Sequence, residues 1–139
     1  MKWNPYLAFN NQCREAFEFY EKCLGGKIVA MIGYADTPAK EHMPANTGAR
    51  IMHARLVLGD QVLMGCDAHP AIPYDGIRGC DVAVQVKTPA EAERLFAALS
   101  EGGTVQMPIG ETFWSARFGM VTYRFGVPWM SNCEKPMGA

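Results

Sequence analysis

The fold is decided by residues 4–28, NPYLAFNNQCREAFEFYEKCLGGKI, because their order of elements returns later in the chain. An apolar segment at 6–9 runs into a polar turn, an amphipathic helix, a pair of glycines and a second apolar segment. The same order recurs in residues 81–105, DVAVQVKTPAEAERLFAALSEGGTV, and the glycine pairs at 25–26 and 102–103 set a period of about 77 residues. Few residues are identical between the copies, so the pattern is repeated rather than the sequence. A duplicated module of one strand, one helix and further strands is predicted.

The first half of the chain is predicted to hold one helix between strands. Asn11 is a good N-cap, so the helix is expected to begin after it and to run to about Leu24. Apolar side chains at i, i+3, i+4 and i+7 spacing form its buried face: Cys13, Ala16, Phe17, Tyr20, Cys23 and Leu24. Further strands are predicted at 28–34, 51–58 and 61–65, the last two joined by a tight Gly-Asp turn.

The second half repeats this order after a polar, proline-rich connection at 66–79. Thr88 as N-cap, Pro89 at the first helical position and Glu91 at the third, where it is expected to close a capping box, form a strong helix start. Strands are predicted at 81–86, 104–107, 112–115, 118–123 and 127–133.

Taken together, the elements approach two βαβββ modules. The first is predicted at 1–66 and the second at 79–139, within a single domain over 1–139. This order favours an α+β protein whose paired modules form a curved, open mixed sheet around a cavity.

Residues 35–49, ADTPAKEHMPANTGA, form a long segment without hydrophobic periodicity. Loops of this length are usually functional or mobile, so the segment is interpreted either as a lid over a pocket or as an ordinary surface excursion. His42 lies in this loop and His69 in the connection between the modules. Both histidines are expected to be exposed to solvent rather than catalytic.

Composition sets limits on the class of protein. The 139 residues are 49% hydrophobic and 19% charged, with a net charge of −1. A near-neutral chain without a Lys/Arg cluster lacks the electrostatic footprint of a nucleic-acid-binding protein. No run of about 18 apolar residues is present, and the first residues lack the apolar core of a secretion signal. A cytoplasmic protein that binds neither nucleic acid nor membrane is therefore predicted.

The five cysteines do not suggest a disulfide framework or a zinc site. Their number is odd and no two are spaced as C-x-x-C: they are Cys13, Cys23, Cys66, Cys80 and Cys133. Without a secretion signal, such cysteines are expected to be reduced and mostly buried.

Three segments carry a resemblance to a known family: PYLAFNNQCREAFEFYEKCLGG, HARLVLGDQVLMGCDA and TFWSARFGMVTYRFGVPWM. Together they span nearly the whole chain. The sequence resembles the vicinal oxygen chelate superfamily (glyoxalase, bleomycin resistance and dioxygenase proteins), and its PhnB-like branch in particular. The resemblance implies paired βαβββ modules, a homodimer, and a small-molecule cavity inside the curved sheet.

Enzymes of this superfamily hold a divalent metal with His, Gln or Glu from four strands. By motif register, the resemblance places those four positions near Pro5, His53, Asp81 and Met130. Proline has no ligating side chain, and a methionine thioether is a soft ligand unsuited to a hard divalent ion. His53 and Asp81 remain as candidate metal ligands, so no cofactor is firmly predicted beyond a possible divalent metal.

PhnB-like sequences are often labelled demethylubiquinone methyltransferase-like. The usual methyltransferase needs a glycine-rich strand-to-helix loop for adenosylmethionine. No G-x-G-x-G is present here, so that activity is not predicted.

His53 is the candidate catalytic residue. Strand alternation within MHARL places His53, Arg55 and Val57 on one sheet face. A histidine on a face that lines a cavity would be a suitable general base. The alternative interpretation is a buried histidine bonded to backbone or to Asp81.

A second set of candidates lies in the C-terminal strands, where aromatic and charged residues concentrate. Such a mixture offers stacking area and an orienting charge to a small ligand, although tryptophans and tyrosines at strand spacing also fill cores and interfaces. An arginine would suit a carboxylate or phosphonate group. With Arg55 and Asp81, the predicted pocket residues are Glu111, Trp114, Arg124 and Trp129.

Three functions remain open from the sequence. The first is a PhnB-like small-molecule-binding protein without the usual metal site and with an unassigned reaction. The second is a metal-dependent glyoxalase- or dioxygenase-type enzyme that uses His53 and Asp81. The third is a binding protein that sequesters an antibiotic. Whether the protein is an enzyme is left open.

Overall fold

A computed structural model describes residues 1–38, 41, 43–44 and 47–136. Backbone contacts divide the chain into two compact units, residues 1–76 and 77–139. His42 and part of the predicted lid segment fall outside the described residues.

The first unit is a mixed four-stranded sheet with one helix. Its elements are β1 (Tyr6–Phe9), α1 (Cys13–Leu24), β2 (Lys27–Gly33), β3 (Ile51–Leu58) and β4 (Gln61–Asp67). The strand order is β1-β4-β3-β2, with β1 parallel to β4 and the other pairs antiparallel. The predicted βαβββ order is confirmed in this unit.

The second unit repeats the same topology. Its elements are β5 (Val82–Gln85), α2 (Pro89–Ser100), β6 (Thr104–Gly110), β7 (Ser115–Thr122) and β8 (Pro128–Glu134). The order β5-β8-β7-β6, with β5 parallel to β8, matches the first sheet strand for strand. Both sheets are open, so the α+β class is confirmed. In the described part of the chain, no helix is long and apolar enough to cross a membrane.

The start of α1 differs from the prediction. Gln12, not Asn11, occupies the N-cap position, and its side chain does not cap the helix. Asn11 adopts a left-handed conformation with a φ of 74°. The first helical N–H, that of Cys13, donates instead to Asp67 Oδ1 at 3.0 Å. A side chain from the end of β4 therefore caps this helix. At α2 the predicted N-cap is confirmed, since Thr88 Oγ1 accepts from the Glu91 N–H at 3.2 Å. The Glu91 carboxylate accepts from Arg94 and is not seen to close the predicted capping box.

The predicted strand at 112–115 is wrong. Residues 112–114 form a turn, and β7 begins at Ser115. Thr112 closes this turn, because its N–H donates to the Ser115 carbonyl at 3.0 Å and its Oγ1 accepts from the Ser115 N–H at 2.9 Å. Strand β6 is longer than predicted and extends to Gly110. Strand β7 starts three residues before the predicted 118, β1 and β3 have the predicted bounds, and the other boundaries move by at most two residues.

Each unit has a core between its helix and one face of its sheet. In the first unit, Phe9, Phe17 and Tyr20 are fully buried and meet edge to face. In the second, Leu95 and Leu99 of α2 are buried, as is Trp129 of β8. Cys13, Cys23 and Cys133 are buried as predicted, whereas Cys80 is exposed. The helix packs on one face of each sheet, and we call the opposite faces the first and second open faces.

Candidate functional site

The first open face carries the predicted catalytic histidine. On β3, Ala54 and Leu56 are buried toward the helix, whereas the alternating residues His53 and Arg55 are less buried. Arg55 pairs with Met64 on β4, and Tyr6 on β1 pairs with the same Met64. The first open face thus presents side chains from three adjacent strands: Tyr6, His53, Arg55, Met64 and Cys66.

Tyr6 and His53 form a polar pair on this face. The Tyr6 hydroxyl lies 3.1 Å from His53 Nδ1, a hydrogen-bond distance. The two rings stack with centroids 5.8 Å apart and an interplanar angle of 29°. The contact fixes the imidazole plane and occupies Nδ1, so that Nε2 is the ring nitrogen available to a ligand.

The hydroxyl of Tyr6 remains protonated well beyond neutral pH. Half of the side chain is exposed, yet partial burial around the hydroxyl and the neighbouring Cys66 raise the pKa of Tyr6 to about 12. Burial also raises the pKa of the Cys66 thiol, while its hydrogen bond with Tyr6 opposes that shift. Tyr6 is therefore a neutral hydrogen-bond donor under physiological conditions, and Cys66 is a neutral thiol rather than a nucleophilic thiolate.

Arg55 supplies the positive charge of the first open face. It is exposed, two residues beyond His53 on the same side of β3. Within the described ranges, no carboxylate forms an ion pair with it and no acceptor takes its N–H groups. An arginine with its donors available binds carboxylate or phosphate oxygens well.

The predicted residues of the second unit are not all in one place. Asp81, Met120, Thr122 and Trp129 border a depression of about 200 Å³, although Trp129 is only 1% exposed and packs in the core. The Glu111 carboxylate pairs with Lys135 at 3.3 Å. Their contribution to ligand binding stays a prediction.

Trp114 and Arg124 belong to separate aromatic groups. Trp114 meets Phe118 edge to face at 5.6 Å and is 45% exposed. The Arg124 guanidinium lies 5.0 Å from the centre of the Phe125 ring, a cation–π distance. Trp114 therefore exposes ring surface to solvent, whereas the Arg124 guanidinium lies against the ring of the adjacent residue Phe125.

The four positions implied for a metal do not fit one. Pro5 precedes β1 and has no ligating side chain, and Met130 on β8 offers only a thioether. His53 already engages Tyr6 through Nδ1. No group of three or more His, Cys, Asp or Glu side chains in the described ranges could hold a metal ion. His69, expected to be exposed, is partly buried, and its Nδ1 accepts from the Ala71 N–H.

Sequence reasoning missed Tyr6 as a site residue. Tyr6 and His53 are 47 residues apart, and β4 lies between their strands. Only the strand order β1-β4-β3 brings the two rings together on one face. A polar residue at an outward position of the first predicted strand was the one available signal.

Two units with the same strand order, each an open mixed sheet backed by one helix, define the class of protein. The chain belongs to the Glyoxalase/Bleomycin resistance protein/Dioxygenase superfamily, whose family model matches residues 2–130.

Individual relatives span nearly the full length. The crystal structure of protein PA1353 from Pseudomonas aeruginosa is 55% identical with a TM-score of 0.91, covering 98% of this chain and 99% of that one. Protein YjdN from Escherichia coli is 32% identical over 97% of both chains. A PhnB protein from Bacillus cereus is 23% identical with a TM-score of 0.79, covering 96% of this chain and 99% of that one, and supports the fold alone. The predicted resemblance to the superfamily is thereby confirmed.

The raised pKa of Tyr6 predicts a specific loss of stability in alkali. The folded state holds the Tyr6 proton more tightly than the unfolded chain, whose tyrosines titrate at about pH 10. The associated stability is complete below pH 10 and is lost as pH rises from about 10 toward 12. Urea unfolding of wild type and Tyr6→Phe across this range should show a steeper decline for wild type. An equal decline of the unfolding free energy in the two proteins would contradict the raised pKa of Tyr6.

Proposed function

We propose that the protein binds a small organic anion on the first open face, without the divalent metal of many superfamily enzymes. The observation that carries the proposal is the 3.1 Å contact between Tyr6 and His53 Nδ1 beside Arg55, which forms no ion pair with any carboxylate that the structure describes. Arg55 would hold a carboxylate or phosphate group, and His53 would contact a second oxygen of the same ligand.

The proposal assigns one tautomer to His53. In it the Tyr6 hydroxyl donates to Nδ1, and the neutral ring carries its hydrogen on Nε2. His53 Nε2–H is thus a hydrogen-bond donor toward the ligand. Such a donor stabilises negative charge that develops on a ligand oxygen. The proposal assigns a binding mode and a hydrogen-bond donor role to His53, and it leaves the reaction open.

The proposal includes one expectation that rests on the family. Binding of the anion is expected within a homodimer, as the resemblance implies. The exposed apolar residues Val29 and Ile32 on the edge strand β2 support such an assembly.

Arg55→Ala is expected to weaken anion binding by at least tenfold, since a hydrogen bond to a charged group contributes about 1.5–3 kcal/mol. The measurement is an NMR titration of the labelled His53 ring with acetate, pyruvate, benzoate and phosphoacetate, each beside its neutral amide or ester. The anions should shift the His53 signals in wild type, and the neutral counterparts should not. EDTA should leave the affinities unchanged.

Arg14→Ala is the matched control, because Arg14 is an exposed arginine on α1 rather than on the first open face. It should bind anions like wild type. His53→Ala lacks the observed ring, so its binding is measured by calorimetric titration beside wild type; it should bind about fivefold more weakly, as expected for one lost hydrogen bond. Equal losses of anion affinity in the Arg14 and Arg55 variants would mean that the net charge of the protein, not Arg55, determines binding. Anions that leave the NMR signals of the His53 ring unshifted would refute the site.

A further inference from the structure

The second open face carries a chain of three polar side chains that no part of the proposed function uses. The Ser115 hydroxyl donates to Asn132 Oδ1, and Asn132 Nδ2 donates to Gln85 Oε1 at 2.7 Å. Ser115 is 0% exposed and Asn132 is 5% exposed, whereas Gln85 is exposed. A buried hydroxyl and a buried amide thus lead outward to one amide at the surface.

The strand register holds this chain in place. Asn132 on β8 pairs directly with Gln85 on β5 and with Phe118 on β7. Ser115 is anchored by the Thr112 turn at the start of β7. Gln85, Asn132 and Phe118 therefore form a single row across three neighbouring strands, and the strand pairing holds Gln85 next to Asn132.

The polarity of the chain determines what Gln85 can offer. Its Oε1 is occupied by the Asn132 donor, so the side chain has little acceptor capacity left. Its Nε2 carries two N–H donors, and no acceptor for them is present among the described residues. A donor at the end of such a chain is polarised by the preceding hydrogen bonds and is already oriented before a ligand arrives.

Aromatic rings lie across Asn132 from this donor. Phe118 shares the row with Asn132, and Trp114 meets Phe118 edge to face with ring centres 5.6 Å apart. Phe113 contacts Trp114 in turn at 4.7 Å, and both Phe113 and Trp114 are exposed. Aromatic rings separated by one strand from a fixed N–H donor suit a flat ligand that carries an oxygen acceptor.

We infer that the second open face binds a planar ring bearing a carbonyl or carboxylate oxygen, with Gln85 Nε2 donating to that oxygen and Phe118 and Trp114 contacting the ring. This site lies in the second unit, and it stands or falls independently of the anion site at Arg55.

The test is a titration of the full-length protein with benzamide, benzoate, acetamide and benzylamine, followed by NMR of side-chain N–H groups. Benzamide and benzoate should shift the signals of the Gln85 amide and the Trp114 indole together. Acetamide lacks the ring and benzylamine lacks the acceptor, so each should bind at least fivefold more weakly than benzamide. An Arg55→Ala background should leave benzamide binding unchanged.

Gln85→Glu replaces the donor by an acceptor of the same shape, and it should weaken benzamide binding about tenfold and benzoate binding more. Ser115→Ala frees the Asn132 amide to turn over and should weaken benzamide binding about threefold. Gln106→Glu is the matched control, because Gln106 is an exposed glutamine of the same sheet whose Oε1 also accepts, from Thr122 at 2.7 Å. It should bind benzamide like wild type.

Several results would overturn the inference. Unchanged benzamide affinity in Gln85→Glu would remove the donor from the site. A preference for benzylamine over benzamide would mean that the chain runs with the opposite polarity. Absence of any shift at Gln85 and Trp114 with about 10 mM benzamide, the dissociation constant that about 0.3 kcal/mol per non-hydrogen atom gives for this ligand, would mean that these aromatic rings bind no flat ligand.

Discussion

Asp67→Ala is expected to lower the free energy of unfolding by about 3 kcal/mol, because two buried backbone donors would lose their acceptor. Asp67 is 1% exposed. One oxygen accepts from the Cys13 N–H at 3.0 Å and the other from the Ile51 N–H at 2.8 Å. An alanine would satisfy neither donor and would leave a small void between α1 and the sheet.

Asp67→Asn separates the hydrogen bonds from the shape of the side chain. Its one carbonyl oxygen serves one of the two N–H groups, and its NH₂ meets the other, so about half of the loss or more should remain. Asp60→Ala is the matched control, since Asp60 is exposed in the β3–β4 turn and should change stability by less than about 0.5 kcal/mol. Urea unfolding at pH 7 measures all three variants. A loss below about 1 kcal/mol in Asp67→Ala would show that water replaces the carboxylate.

Asp67 also bears on the candidate site. By holding the Ile51 N–H, it fixes the start of β3 two residues before His53. In the Asp67 variants, the His53 ring is therefore expected to lose part of its fixed orientation. Stability and binding are linked here through one buried carboxylate.

The same residue shows why the sequence predicted α1 but not its cap. The helix could be predicted because its apolar spacing and the Gly25 end signal are local. The cap could not, because the acceptor for the Cys13 N–H is 54 residues away along the chain. Asn11 was a good local candidate, and a non-local carboxylate took its role.

The predicted strand at 112–115 was wrong for the opposite reason. Thr112, Phe113 and Trp114 are residues that favour strands, so their pattern predicted one. A local pair of hydrogen bonds between Thr112 and Ser115 wins over that preference. At α2 the local signals were sufficient, because Thr88 and Pro89 act within the same turn of helix.

The residues of the candidate site also fall into those with a local signal in the sequence and those without one. His53 and Arg55 could be placed on one face from strand alternation alone. Tyr6, Asn132 and Gln85 required the strand order and the register, which depend on pairing between distant segments. Residues that act through a neighbouring strand are therefore the ones that sequence reasoning omitted.

Gly65→Ala is expected to destabilise the protein by about 3 kcal/mol, because the new methyl group has no room. A Cβ on Gly65 would lie 2.7 Å from the Leu7 carbonyl oxygen and 2.8 Å from Phe17 Cε1. The first neighbour is backbone of the adjacent strand β1, so it moves only if the sheet is distorted. Phe17→Leu in the same chain should therefore recover little of the loss.

Gly119→Ala in the second unit provides the contrasting case. Its Cβ would meet Cδ2 and Cε2 of the Phe96 ring, each at 2.7 Å, while the nearest backbone atom, Ile109 Cα, is 3.1 Å away. Here the main obstacle is a side chain, so Phe96→Leu should recover more than half of a loss of about 2 kcal/mol. Urea unfolding of both double-mutant cycles gives the two coupling energies. A mutation can remove the Phe96 ring but not the Leu7 carbonyl, so the coupling energy of Gly119 with Phe96 should exceed that of Gly65 with Phe17. Equal couplings would mean that the β1 backbone yields as readily as an aromatic side chain.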